Sequence, residues 1–188
     1  MPRTVNTEKR AELLGQVVEY VQRHGLAHLS LAPLAVEIGT TKRMLLYYFG
    51  SREHLIARAL AASRPDAHAL FDPVEDVDAL RGSARALWRA ITVGEQAGPI
   101  RILLQLLSLA ATDPEQYGEL ARETVAFMVD PIADAYARLG HPEPAARERA
   151  TLLVSGLRGL CQDRLVTGDA ARTDAAARRL IEAALSPA

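Results

Sequence analysis

The most informative pattern in this chain lies in residues 30–55, SLAPLAVEIGTTKRMLLYYFGSREHL. Apolar residues recur with helical spacing in the first part of this segment, at Leu31, Leu34, Ala35 and Ile38. Gly39 and Thr40 then predict a turn, and a second helix is expected over about 41–48, ended by Gly50. Two short helices that meet at a glycine-bearing turn form a helix-turn-helix, so this motif is predicted here.

The second helix of the motif has a polar and basic outer face. If Leu45 packs inward against the first helix, the opposite side presents Thr41, Lys42, Arg43, Met44, Tyr47 and Tyr48. Lysine and arginine suit guanine acceptors or phosphates, and methionine can touch a thymine methyl group. Phosphates also bind at helix N-termini, here at Ser30 and Arg52. The pattern predicts a helix that enters the major groove of double-stranded DNA, whereas a motif used only for packing has little reason to present such residues.

The same segment resembles the DNA-binding signature of the TetR family, roughly T-x-x-x-I-A-x-x-A-G-V-S-x-x-x-L-Y-x-H-F-x-x-K-x-x-L. The signature positions are occupied without a gap by Ser30, Leu34, Ala35, Gly39, Leu45, Phe49, Arg52 and Leu55. Leu46 replaces a tyrosine that binds phosphate in the family, and Tyr48 stands where a histidine is common. The resemblance covers about residues 8–63. The predicted DNA-binding residues are Ser30, Thr40, Thr41, Lys42, Arg43, Met44, Leu46, Tyr47, Tyr48 and Arg52.

The rest of the chain also reads as helix, which predicts an all-α protein of about nine helices. Thr7 is expected to cap the first helix and Gly25 to end it, and Ser51 is expected to cap the fourth. Later helices are predicted at roughly 75–93, 99–111, 115–138, 144–167 and 172–185, and 65–74 as a linker or an irregular continuation. The predicted domains are 1–64, a three-helix DNA-binding domain, and 65–188, a helical bundle for effector binding and dimerisation.

Composition and charge agree with this division. The chain has 188 residues, 49% of them apolar and 5% aromatic, which is typical of a globular helical protein. Residues 1–64 hold nine Lys or Arg and five Glu, whereas 65–188 hold 13 basic and 18 acidic residues. A basic head on an acidic body favours an anionic partner at the N-terminal end. No signal-peptide pattern or membrane-length apolar stretch is visible, so a cytoplasmic location without membrane contact is expected.

The TetR resemblance implies two further sites. The family dimerises through its last two long helices, which implies a homodimer interface at Leu152, Ser155, Gly156, Gly159, Leu160, Asp163, Leu180, Ile181 and Ala184. The family also holds a small-molecule effector among its middle helices. The corresponding candidates are Trp88, Ile91, Leu104, Gln105, Ser108, Tyr117, Phe127, Met128 and Tyr136. The implied function is a repressor that a ligand releases from a palindromic operator.

Catalytic and metal chemistry find little support in the sequence. His24 and His28 are spaced like a metal pair, but Gly25 breaks the helix between them and no suitable carboxylate lies beside them. Cys161 is the only cysteine and is expected to be a small buried side chain. No enzyme, metal or cofactor is therefore predicted. Three alternatives stay open: control by a partner protein, action as an activator, and a helical enzyme or carrier with an accidental motif.

Overall fold

The computed structural model describes residues 6–26, 29–63, 66–94 and 97–186. These residues form helices and connecting turns without a β-strand, which confirms the all-α fold. The ten helices of the described residues are α1 (Thr7–His24), α2 (Leu31–Glu37), α3 (Lys42–Phe49), α4 (Arg52–Ser63), α5 (Ala67–Phe71), α6 (Val77–Thr92), α7 (Pro99–Thr112), α8 (Pro114–Arg138), α9 (Glu143–Thr167) and α10 (Ala170–Leu185). None of them has the length and apolarity that crossing a bilayer requires.

The helix termini follow from local side-chain caps. Asn6, rather than the expected Thr7, caps α1, because its side chain accepts a hydrogen bond from the Lys9 amide at 3.0 Å. Ser51 caps α4 as predicted, accepting from the His54 amide at 3.1 Å. The short helix α5 lies in the stretch that was expected to be a linker or an irregular continuation. Asp66 caps it through the Ala69 amide at 3.1 Å, so one of the aspartates in this stretch starts a helix.

The helices gather into two compact units. One comprises Met1–Arg64 with Gly98–Ala121, and the other comprises Pro65–Ala97 with Arg122–Ala188. The border near residue 64 coincides with the predicted domain boundary, but α7 and the first turns of α8 belong to the N-terminal unit. The assignment of DNA binding and effector binding to 1–64 and 65–188 stays a prediction, because it concerns function.

The first unit has a continuous apolar core around α1, α2, α3 and α4. Its buried side chains include Leu13, Val17, Leu26, Leu34, Leu45, Leu55 and Ile56, each at most 1% exposed. Ile102 and Leu106 of α7 and Tyr117 of α8 join the same cluster. Burial of an apolar side chain stabilises a fold by about 1.5–3 kcal/mol. One face of α3 therefore packs against this core, and the opposite face is exposed to solvent.

The second unit is built on α9 and α10, which pack along their length. The side chains buried most completely here include Phe71, Leu80, Ile132, Tyr136, Leu153 and Ile181. The Tyr136 hydroxyl donates to the Ala184 carbonyl at 3.0 Å. Burial raises the pKa of Tyr136 to about 12, although Arg149 acts in the opposite direction. The phenol thus stays a neutral hydrogen-bond donor across the physiological pH range.

Gly156 sets how closely α9 and α10 approach. A β-carbon added to Gly156 would overlap Leu180 Cδ2 and lie 2.9 Å from Leu180 Cδ1. Gly82, inside α6 of the same unit, has nothing within 4 Å of an added β-carbon. The two glycines therefore share a helical backbone but differ in the space around them.

A matched pair of alanine substitutions tests this contact. Both Gly156→Ala and Gly82→Ala gain about 1 kcal/mol of helix propensity, but only the first must displace Leu180. We expect the free energy of unfolding of Gly156→Ala to be lower than that of Gly82→Ala by about 1–3 kcal/mol, the usual cost of overpacking. Urea unfolding at one protein concentration measures the difference. Equal stability of the two variants would contradict tight packing at Gly156.

Candidate nucleic-acid interface

The turn between α2 and α3 sets the geometry of the predicted DNA-binding motif. Gly39 has a φ of +68°, a left-handed conformation that glycine adopts without steric cost. The Thr40 amide donates back to the Ala35 carbonyl at 2.8 Å. Thr41 then caps α3, since its side-chain oxygen accepts from the Met44 amide at 3.1 Å. The chain thus reverses within three residues, as a helix-turn-helix requires.

Helix α3 has sharply different inner and outer sides. Leu45 is 1% exposed and Phe49 5% exposed, and both face the core of the first unit. The outer side carries Lys42, Arg43, Met44, Leu46 and Tyr47, all of them exposed. Arg43 and Tyr47 are one turn apart and occupy the middle of this outer side. These five predicted residues therefore share one open surface, and Thr41 lies at its N-terminal edge.

Tyr48 and Thr40 lie at the margins of this surface. Tyr48 is half-buried and packs against the core of the first unit. Its ring meets that of Tyr47 edge to face, with centroids 5.1 Å apart and an interplanar angle of 79°. Such a contact stabilises one orientation of an exposed aromatic ring. Tyr48 therefore positions Tyr47, and Tyr47 is the more accessible of the two for a partner. Thr40 is half-buried in the turn, and Ser30 is exposed at the start of α2 without a side-chain cap bond.

Arg52 has an internal role that the sequence did not predict. Its Nε donates to the Leu29 carbonyl at 2.8 Å, and its Nη1 donates to the Tyr117 hydroxyl at 3.0 Å. The guanidinium also lies 6.0 Å from the centroid of the Tyr117 ring. These bonds tie the Arg52 side chain to its own unit, and its expected phosphate contact stays a prediction. The side chain ties α4 to the loop before α2.

Gln105 supports the same loop from α7. Its Oε1 accepts a hydrogen bond from the Leu26 amide at 2.6 Å. Gly25 leaves room for this contact, because a β-carbon there would come within 2.9 Å of Gln105 Oε1. Gln105 and Tyr117, expected to line an effector pocket, therefore hold the segment that leads into the helix-turn-helix. Leu26 and Gln105 are 79 residues apart in sequence, so no local sequence pattern indicates this contact.

An ion-pair cluster joins the end of α1 to the end of α2. Glu37 accepts from Arg23 Nη1 at 2.6 Å and lies 3.1 Å from His24 Nε2. Partial desolvation would raise the pKa of Glu37, but the bonds to His24 and Arg23 hold it below its usual value. The carboxylate near the motif is thereby kept charged and paired. His24 is engaged with Glu37, and its suggested metal partner His28 lies outside the described residues.

The predicted effector residues are divided between the two units. Leu104, Gln105, Ser108 and Tyr117 belong to the first unit, and Trp88, Ile91, Phe127, Met128 and Tyr136 belong to the second. Trp88 and Ile91 are 7% and 5% exposed, and the Trp88 indole donates to Asp174 at 2.8 Å. Ser108 and Gln105 are exposed on α7. A shared ligand site made of all nine residues stays a prediction.

The predicted dimer residues separate into an exposed and a buried group. Leu152, Ser155 and Gly159 are exposed along one side of α9. Gly156, Leu160, Asp163 and Leu180 are half-buried. Ile181 and Ala184 are each 1% exposed and belong to the core of their own unit. These last two pack mainly within their own unit, and their place in a dimer interface stays a prediction.

Val166 continues this exposed side of α9, whereas Leu165 lies on another side of the helix, about 140° around the axis from Leu152. Leu165 and Val166 are 39% and 80% exposed, and Leu152 is 52% exposed. A groove of about 420 Å³ lies beside Leu152 at the junction of α9 and α10. Its lining is Ala145, Glu148, Arg149, Leu152, Ala183, Ala184 and Ser186. On the same helix, the Asp163 carboxylate accepts two hydrogen bonds of 2.7 Å from the Arg172 guanidinium of α10.

Comparison with known proteins gave matches only among solved structures. No family model matches the sequence, and no curated protein matches it. A TetR transcriptional regulator from Legionella pneumophila superposes with a TM-score of 0.71 at 15% identity, over 99% of this chain and 100% of that one. NalD of Pseudomonas aeruginosa, the secondary repressor of the MexAB-OprM multidrug efflux pump, gives a TM-score of 0.70 at 21% identity, over 95% and 96%.

A third solved structure agrees with the first two. The multidrug binding protein EbrR, in complex with imidazole, gives a TM-score of 0.72 at 22% identity, over 100% of this chain and 95% of that one. All three similarities extend over both units and are not limited to the N-terminal motif. Identities this low establish architecture. The chain therefore has the fold of the TetR-family transcriptional regulators.

Proposed function

We propose that this protein is a sequence-specific DNA-binding transcriptional regulator that acts as a homodimer and is released from a palindromic operator by a small molecule. The observation that supports it most is the exposed outer side of α3, which combines Lys42, Arg43 and Tyr47 in the second helix of a helix-turn-helix. A helix of this kind fits the major groove, with its N-terminal residues nearest the base edges.

Electrostatics supports DNA as the partner of this surface. Helix α3 has no acidic residue in its first turn, and Lys42 and Arg43 are both exposed. Glu37, the acidic residue at the end of α2, is paired with Arg23 and His24. A cationic helix without a competing free carboxylate attracts the phosphate backbone and releases counterions when it binds. The binding should therefore weaken as salt concentration rises.

A homodimer is supported by the apolar residues left exposed on α9. One helix-turn-helix contacts too few bases for strong selectivity, and a dimer reads two half-sites about 34 Å apart. Leu152 and Val166 are exposed on the side of α9 that also carries Ser155 and Gly159, and a second copy packed along this side would bury them. Ser155 and Gly159 on the same helix are small and allow a second copy to approach closely.

Ligand release is supported by analogy with the neighbours in fold. NalD is described as a repressor and EbrR as a multidrug binding protein. For this chain we propose the same regulatory class, with the effector bound in the second unit around Trp88, Ile91, Phe127 and Met128. A ligand would favour a conformation that binds the operator less tightly, which is a shift of population between two states.

Selection of binding sites from random or genomic DNA by the purified protein, at a stated salt concentration, tests the proposal. We expect a near-palindromic site with half-sites about one helical turn apart, since a twofold dimer requires it. Recovery of no preferred site, with only weak and salt-sensitive binding, would overturn sequence-specific regulation. If the site is found but no small molecule releases it, control by a partner protein replaces the effector proposal.

A further inference from the structure

The outer side of α3 carries more apolar surface than recognition of bases by hydrogen bonds alone would need. Met44 is 38% exposed, Leu46 36% and Tyr47 48%, while Arg43 is the one cation in the middle of this side. Thr41 has its side-chain oxygen engaged in the N-terminal cap of the helix. The middle and flanks of this side therefore combine the Arg43 guanidinium and the Tyr47 hydroxyl with two apolar side chains.

The helical geometry spreads these apolar groups across the width of the surface. Successive residues of a helix are separated by 100°, so Met44 and Leu46 lie on opposite flanks of the line through Arg43 and Tyr47. Tyr48 restrains the Tyr47 ring from below, through the edge-to-face contact at 5.1 Å. A partner that lies along α3 would meet an apolar group on each flank and an ordered aromatic ring in the middle.

The chemistry of the occupant follows from the mixture of charge and apolar surface. Lys42 and Arg43 attract an anionic partner, and contact with Met44 and Leu46 is favourable where that partner also presents apolar groups near its anions. In the major groove of DNA the largest apolar group that a base presents is the C5-methyl of thymine. Thymines in the major groove provide both, because this groove admits an α-helix and has a phosphate backbone along each edge.

Resting on the function proposed above, we infer that Met44, Leu46 and Tyr47 read the operator through thymine C5-methyl groups. Arg43 supplies the main polar contact, which suits the O6 and N7 acceptors of guanine. The half-site should accordingly contain thymines on both sides of the base pair that Arg43 contacts. Leu46 and Met44 are thus specificity-determining residues, each assigned to methyl groups on its own flank.

Replacement of thymine by deoxyuridine tests the inference, because it removes the methyl group and leaves base pairing and phosphates in place. Using the operator obtained by site selection, each thymine of one half-site is replaced singly and the dissociation constant is measured. Loss of one buried methyl contact should weaken binding about fourfold. In Leu46→Ala, deoxyuridine at one thymine position should no longer weaken binding, and in Met44→Ala the same should hold at a different position. A double-mutant cycle that combines each protein variant with each deoxyuridine operator measures this.

Val93→Ala is the control variant. Val93 is 69% exposed and belongs to the second unit, so its truncation removes an exposed apolar group outside the motif. This variant should keep the full sensitivity to deoxyuridine. Unchanged affinity for every deoxyuridine-substituted operator, or a selected half-site without thymines, would overturn the inference while sequence-specific binding still supports the regulator. Absence of any selected site would overturn the proposed function itself.

Discussion

Arg43→Ala is expected to weaken binding of the selected operator by about 10- to 100-fold for each half-site, and a homodimer carries the substitution in both. Arg43 is exposed in the middle of the outer side of α3 and has no acidic neighbour on that helix. An arginine that forms two hydrogen bonds with guanine contributes about 1–3 kcal/mol of discrimination against the wrong base. The preference for one base pair in each half-site should be lost together with the affinity.

Tyr47→Ala should weaken operator binding severely as well, because Tyr47 is the most exposed of the large hydrophobic side chains of α3. The measurement is titration of labelled operator and of a scrambled duplex at one salt concentration. Arg101→Ala is the control for Arg43→Ala, because it removes the same charge from an exposed position on α7, outside the helix-turn-helix. Circular dichroism and sedimentation should show that the variants remain folded dimers. Unchanged operator affinity in both α3 variants would refute α3 as the recognition helix.

Leu152→Glu is expected to convert the dimer into monomers at micromolar concentration. Leu152 is 52% exposed, on the side of α9 that also carries Ser155 and Gly159. In a twofold interface, the substitution places a carboxylate on both copies. Each carboxylate would lose its hydration on dimerisation without gaining an ion-pair partner, which costs free energy. A central interface residue contributes about 2 kcal/mol or more, so the dimer dissociation constant should rise at least about 30-fold.

Sedimentation over a range of protein concentrations measures this effect. Val93→Glu is the control, because it introduces the same charge at an exposed apolar position of the second unit outside α9 and α10. The monomeric Leu152→Glu protein should also lose most of its operator affinity, since the two heads no longer bind as one molecule. A Leu152→Glu protein that sediments as the wild type does would place the dimer contact on another surface.

Local sequence signals were sufficient for most of the secondary structure. The bounds predicted for the later helices, such as 144–167, differ by one or two residues from α9 (Glu143–Thr167) and its neighbours. Periodic apolar residues, Gly39 and the caps act within a few residues, so they can be recognised without knowledge of the fold. The short helix α5 was missed because the prolines and aspartates around it are equally typical of a loop.

The helix-turn-helix and the outward direction of Arg43, Met44, Leu46 and Tyr47 were also determined by sequence. One buried residue on a short helix, here Leu45, fixes the direction of every other side chain on it. The roles of Arg52, Gln105 and Tyr117 were decided only by tertiary structure. A cation at a helix start suits a phosphate or a carbonyl oxygen equally well, and the Leu29 carbonyl and the Tyr117 hydroxyl reach Arg52 only in the folded chain.

The same distinction applies to the second unit. Sequence placed Leu152, Gly156 and Ile181 on two amphipathic helices, but an apolar helix face can pack against its own chain or against a second copy. Tertiary structure buries Ile181, presses Gly156 against Leu180 and leaves Leu152 exposed. Sequence alone determined what each helix could bury, because periodicity is local. Only the packing of helices distant in sequence decided which surface each one buried, because that choice depends on all its neighbours at once.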